Sequence, residues 1–269
     1  MRRFILCLVA VLATSAGLTA GEIKIAWYGQ SMFLIVTPKG TRVVFDPHNL
    51  ESYRQVTPIK ADLILMSHLH SDHTRLEQIE NAKTAKQVNA LKASGPGNAI
   101  VDWNEVDEKF KDVRYQSIPT YHDAASGLTR GKNGCWILDI DGIRIVHLGD
   151  LGHLLKPAQL KKFGKVDVLM VPVGGVYTLN GLTGFKVVQQ INPKRHIIPM
   201  HYGTIVYDDL LPLKVFAEEV KDAKIPIVTY KARGWLEIDT AATPKEANCV
   251  VLNYLGAPLE IKLKKQKKD

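Results

Sequence analysis

Cysteine is scarce in this 269-residue chain, with Cys7, Cys135 and Cys249 the whole supply. A disulfide framework is therefore not what holds the fold. Cys135 and Cys249 sit in apolar strand-like runs, CWILDI and CVVLNY, and are expected as buried free thiols. Also missing is any apolar run long enough to span a bilayer, which takes about 20 residues. The longest, Phe4 to Ala13, follows Arg2 and Arg3 and precedes small residues ending at Ala20. That order reads as a secretory signal peptide over residues 1–20, so a periplasmic or secreted protein without stable membrane insertion is expected. No low-complexity linker divides the remainder, and residues 21–269 read as one domain with a basic tail. Aromatic residues are few and none interleaves with the lysines of the terminal KLKKQKKD, which argues against nucleic acid as a partner. Part of the formal net charge of +8 sits in that tail and reads first as a solvated, frayed end, with attraction to an anionic small-molecule substrate or a membrane surface as the functional alternative.

What the chain does have is a regular alternation of β-rich and helical stretches. Strands are expected in EIKIAWYG, SMFLIVT, TRVVFDP and ADLILMS, and a hairpin around Asp141-Gly142 joins CWILDI to IRIVHLG. Helices are expected in DHTRLEQIENA (72–82) and TAKQVNALKASG (84–95). The second half alternates helix PAQLKKFG, strand VDVLMVPV, helix GFKVVQQIN, strand RHIIPM, helix DDLLPLKVFAEEV and strand IPIVTY. Such alternation predicts a mixed α/β architecture.

The densest chemistry lies in SHLHSDHTRL, which places His68, His70, Asp72 and His73 within six positions of a chain that has nine histidines. A lone histidine at a strand end is usually a hydrogen-bonded core residue. Four ligand-type residues in this order are not explained by surface solvation. In extended backbone His68 and His70 point the same way and can converge on one ion, while Asp72 and His73 follow where the chain turns towards a second. His122, Asp150 and His201 each fall at or just past a strand end, where an α/β protein gathers its chemistry, and would complete two sites. Imidazole and carboxylate suit zinc first, with manganese or iron as alternatives.

With those positions in view, His68-Leu69-His70-Ser71-Asp72-His73 followed by His122, Asp150 and His201 resembles the metallo-β-lactamase fold superfamily of metal-dependent hydrolases. RGKN, DGIRIVHLGDLGH, VPVGG and IIPMHYGT resemble, within it, bacterial hydrolases related to L-ascorbate-6-phosphate lactonase. The resemblance runs from about Trp27 to Thr204 and implies a four-layer αββα sandwich. It implies a first metal held by His68, His70 and His122 and a second by Asp72, His73 and His201, with Asp150 bridging. Asp46 matches an acidic position expected to orient a ligand histidine. Two ions so held would activate a water as the nucleophile, with Asp72 as the catalytic proton carrier. His153, Tyr177 and Tyr202 are candidates for touching substrate, whereas His48, His147 and His196 are assigned to structure or surface.

Two positions depart from the pattern. Gln30 stands where relatives commonly carry His, and Leu179-Asn180-Gly181 where they carry an acidic residue. The expected activity is cleavage of an ester, lactone or phosphoester. Competing readings are a β-lactamase-like amide hydrolase, disfavoured by the bridging Asp150, and a catalytically silent metal-binding protein on the same scaffold.

Overall fold

The computed structural model describes residues 21–53, 58–94 and 99–254, so the expected leader and basic tail lie outside the described residues. Two sheets stack face to face. The first runs in the order β15-β1-β2-β3-β4-β5, built from Leu236–Asp239, Glu22–Trp27, Phe33–Val36, Arg42–Phe45, Leu63–Met66 and Lys86–Asn89. The second has eight strands in the order β14-β16-β13-β12-β11-β10-β9-β8, from Ile227–Thr229, Asn248–Val251, His196–Met200, Val168–Pro172, Ile143–His147, Lys132–Ile140, Val113–Tyr121 and Asp107–Phe110. A separate hairpin pairs β6 (Leu91–Ser94) with β7 (Ala99–Trp103).

Alternation along the strands sets the layers. Ile23, Ile25, Trp27, Phe33, Ile35, Val43, Phe45, Leu63 and Leu65 face the second sheet and share one core with Tyr115, Trp136, Leu138 and Ile145. Full burial of each such side chain contributes about 1.5–3 kcal/mol. The intervening residues Ala26, Leu34, Val44 and Ile64 point the other way, into a smaller cluster with Ile59 and Ile79. Asp141 and Gly142 both adopt positive φ, 46° and 83°, and turn β10 into β11 as the sequence leads one to expect.

Three helices follow in the second half: α1 (Pro157–Phe163), α2 (Gly181–Ile191) and α3 (Lys214–Asp222). Asn180, from the departing LNG segment, caps α2 by accepting the Thr183 N–H at 2.9 Å. The α2 helix packs on β12 and α3.

The two helices expected at 72–82 and 84–95 are not there. Residues 71–84 form turns and irregular backbone with an isolated bridge from Ile79 to Ile59, and 86–89 and 91–94 are strands; Gly95 to Gly97 lie outside the described residues. Asn81 spends its side chain on both backbone groups of Ala61, which ties the segment under the first sheet and competes with helical bonding. Lys86 to Asn89 pair in parallel with Leu63 to Met66, so ladder bonds replace the helix that their propensity favours.

Candidate metal centre

The chain brings its ligand-type residues to one edge. Strands β3 and β4 run parallel, as do β11, β12 and β13, so their C-terminal ends open on the same side. Asp46 follows β3, the 68–73 cluster follows β4, His122 follows β9, Asp150 follows β11 and His201 follows β13. Several of these turns hold non-glycine residues at positive φ: Gln30 at 47°, Asp46 at 41° and His201 at 49°. Such backbone strain is typical of sites where geometry serves function. At Gly152 a side chain would strike the His122 carbonyl, so only glycine lets the Asp150 loop approach that closely.

Asp150 is the hub. Its Oδ2 lies 3.2 Å from Nε2 of His122, 3.3 Å from those of His73 and His201, and 3.9 Å from that of His68. Asn133 Oδ1 accepts the Asp150 N–H at 3.0 Å, and the Asn133 amide is itself fixed by Thr120 and Leu148. Ser31 donates to the other carboxylate oxygen at 3.3 Å.

Asp46 is the support. It accepts the Ser67 N–H at 2.6 Å and the Ser67 hydroxyl at 2.7 Å, and its Oδ2 also lies 3.0 Å from His73 Nδ1. Because the Ser67 proton goes to Asp46, Ser67 Oγ receives the Nδ1–H of His68 at 2.9 Å. His68 Nε2 is then left as a lone pair facing His70 Nδ1 at 3.0 Å. Neither Ser67 nor Asn133 stands out in the sequence, since each acts by holding another residue.

Charge in the site is unbalanced. Burial would raise the Asp150 carboxyl, but the His201 and His73 imidazoles hold it well below the usual carboxylate range. Burial likewise opposes ionisation of Asp72, and His73 overrides it downwards. His73 is pushed well above the ordinary imidazole value, against its burial, by Asp150, Asp72 and Asp46. His122 is raised against its burial by its hydrogen bond to Asp150. His68 is driven well down by burial and by His73, and His201 is lowered by burial. Three carboxyl groups and five imidazoles thus share a pocket that draws protons onto His73 and His122, the place a divalent cation would take.

The donors fit metal ions. Three groups each place one ligand atom per residue within 4.8 Å of the others: His68, His70 and His122; His68, His73 and Asp150; and Asp72, His73 and His201. His73 Nε2 is buried at the centre and has no hydrogen-bond partner. Nitrogen and carboxylate oxygen in sets of three suit divalent first-row metals.

The other expected residues divide. Tyr202 is buried and stacks on Trp27 with ring centroids 5.3 Å apart, which makes it a packing residue rather than a substrate contact. His153 accepts the Tyr121 N–H at 3.1 Å and bonds the Leu154 carbonyl at 2.8 Å, so both ring nitrogens are spent on backbone. Tyr177 is exposed. His48 and His147 are buried and bonded to the carbonyls of Tyr28 and Ser31 at 3.2 and 2.9 Å, and His196 bonds Asn248 at 2.7 Å, all in structural roles. Gln30 is buried beside His201, whose N–H bonds its carbonyl at 3.2 Å, while its own Oε1 has no hydrogen-bond partner. The neighbouring Tyr207 hydroxyl is pushed up to about 12 by burial, with Asp209, Asp72 and Tyr177 adding to the shift. Cys135 and Cys249 are buried free thiols.

Comparison with known proteins agrees with this geometry. The family model described as "Beta-lactamase superfamily domain" matches residues 24–201. A UPF0173 metal-dependent hydrolase of Thermodesulfovibrio yellowstonii is 31% identical over 76% of this chain and 86% of its own length. Another from Thermococcus onnurineus is 30% identical over 68% of this chain and 85% of its own. Among solved structures, a proposed Zn-dependent hydrolase of the metallo-β-lactamase superfamily from Thermotoga maritima aligns with a TM-score of 0.62 and 29% identity, covering 86% of this chain and 98% of that one. The diiron β-hydroxylase CmlA of Streptomyces venezuelae shares the fold at a TM-score of 0.58 and 12% identity, covering 88% of this chain and 54% of that one.

Proposed function

The chain belongs to the UPF0173 metal-dependent hydrolases of the β-lactamase superfamily, and from that premise we propose that it cleaves an ester, lactone or phosphoester at a two-metal centre. The single observation that carries this reading is the convergence of four histidine Nε2 atoms on Asp150 Oδ2, with a triad on either side. His68, His70 and His122 would hold one ion and Asp72, His73 and His201 the other, with Asp150 between them. Zinc is the proposed metal, since imidazole dominates the set. Bound there, a pair of divalent ions lowers the pKa of water and polarises the oxygen of the scissile bond.

The residues of the chain do the rest. Asp72 is partly open to the mouth and held ionised by His73, so it can take a proton from the attacking water and return it to the leaving oxygen. Asp46 and Ser67 fix the ring orientations of His73 and His68. His70 is exposed and marks the side from which substrate arrives. Lactones are included in the substrate class because the RGKN and IIPMHYGT segments resemble the lactonase-related branch.

The test is a panel of neutral and anionic esters, lactones and phosphodiesters offered to fully metallated protein and to its Asp72→Asn variant. Turnover of at least one class, lost in the variant, supports the reading. Retained metal with no turnover of any class would contradict it.

A further inference from the structure

The loop after His122 is built with unusual care for a surface segment. Asp123 accepts four backbone N–H groups, from Ala125 and Gly127 on one oxygen at 2.8 and 2.9 Å and from Thr129 and Arg130 on the other at 3.0 and 2.7 Å. That carboxylate is thereby consumed in holding the loop, and the Arg130 side chain is delivered from a rigid frame.

Arg130 reaches from its loop to the loop after β12. Its guanidinium donates to the Val176 carbonyl at 2.9 Å and lies over the Tyr177 ring, 4.8 Å from the centroid. Those are its interactions among the described residues; no carboxylate there lies within ion-pair distance of it. An arginine has five N–H donors, so this arrangement leaves most of them unspent. Cation–π stacking on a tyrosine fixes the plane of the fork without neutralising its charge.

The partner loop is strained to meet it. Val176 sits at φ +54°, a conformation that β-branched residues rarely adopt, and follows Gly175 at φ +59°. The result is to carry Val176 and Tyr177 outward, 52% and 41% exposed, next to the arginine. Leu128, on the Arg130 loop, is 89% exposed. The two loops flank the metal-ligand edge: the Arg130 loop begins at His122 and returns through Gly131, whose carbonyl accepts the His122 N–H at 3.0 Å, while the other loop passes Gly174, packed on the His201 backbone.

We propose that Arg130, stacked on Tyr177, is the receptor for an anionic group of the substrate, so that this hydrolase selects organic anions whose apolar body lies along Val176 and Tyr177. This rests on the hydrolase reading above and names the substrate class for the same site. A carboxylate or phosphate on the substrate would take the free edge of the guanidinium in a bidentate pair. The apolar surface beside it distinguishes such a substrate from a small inorganic anion.

The test uses two esters of equal chain length on the metallated protein: 4-nitrophenyl valerate, which is neutral, and mono-4-nitrophenyl glutarate, which ends in a carboxylate. The wild type is expected to favour the glutarate ester in kcat/KM by about ten-fold or more, the scale of one charge-assisted hydrogen-bonded pair. Arg130→Gln is expected to bring that ratio near one, through KM rather than kcat, and Arg130→Lys to keep part of the preference. Calorimetric titration of glutarate should show a matching loss of affinity in Arg130→Gln, a readout that survives even where neither ester is cleaved and the hydrolase reading itself is at fault. Equal loss of both esters in Arg130→Gln would make the residue merely structural. Equal glutarate affinity in wild type and Arg130→Gln, with no charge preference in the wild type, would overturn the proposal.

Discussion

The Asp46 carboxylate lies 3.0 Å from Nδ1 of His73, and both side chains are fully buried. Asp46→Asn keeps the shape but removes the charge that orients the ring. Metal affinity is expected to fall about 10–100-fold, the usual effect of losing such a partner. Competition against a chromophoric chelator measures it, and an unchanged affinity would remove Asp46 from the metal centre.

Asp72→Asn is expected to cut kcat by about 100-fold or more, as for loss of a positioned proton carrier. The group of His68, His70 and His122 does not include Asp72, so at least one ion should remain. Kinetics paired with metal analysis on one preparation separates the two effects.

Stability should decline in acid. Burial lowers His48 to about 4, with its ring bonded to the Tyr28 and Gly29 carbonyls. The unfolded chain binds this proton below about pH 6.5 while the native protein refuses it down to about 4, so stability is fully present above 6.5 and is lost as pH falls through that window. The loss by pH 4 is about 3 kcal/mol. Thermal unfolding of His48→Gln, compared with wild type at several pH values on chelated protein, should show a flatter profile.

Reducing agent should leave the melting temperature unchanged, because Cys135 and Cys249 are both buried and free. Burial pushes each thiol up to about 12, so neither should react with an iodoacetamide probe before unfolding. Rapid native labelling of Cys135 would contradict its placement in the core.

The cluster was legible because metal chemistry demands rare residue types at strand ends, and His68, His70, Asp72, His73, His122, Asp150 and His201 meet at one edge in groups that could hold metal ions. The Asp141-Gly142 hairpin was legible because its turn is a local matter. Residues 72–95 misled because their helix-forming composition is overruled by non-local partners: Asn81 bonds Ala61, and Lys86 to Asn89 pair with β4. Tyr202 and His153 look like site residues only by adjacency to His201 and Asp150; packing on Trp27 and backbone bonding are invisible in one dimension. Ser67 and Asn133 escaped notice for the complementary reason, since a serine or asparagine takes on its role only through the groups it bonds.

The central claim is a two-metal centre hinged on Asp150, and metal content per chain tests it most directly. Protein purified without chelator or affinity-metal resin would be assayed by plasma mass spectrometry beside Asp150→Ala and His122→Ala. About two ions per wild-type chain, falling in both variants, is the predicted result. A folded wild-type chain that retains no ion and takes up none on titration with zinc, manganese or iron would contradict the account.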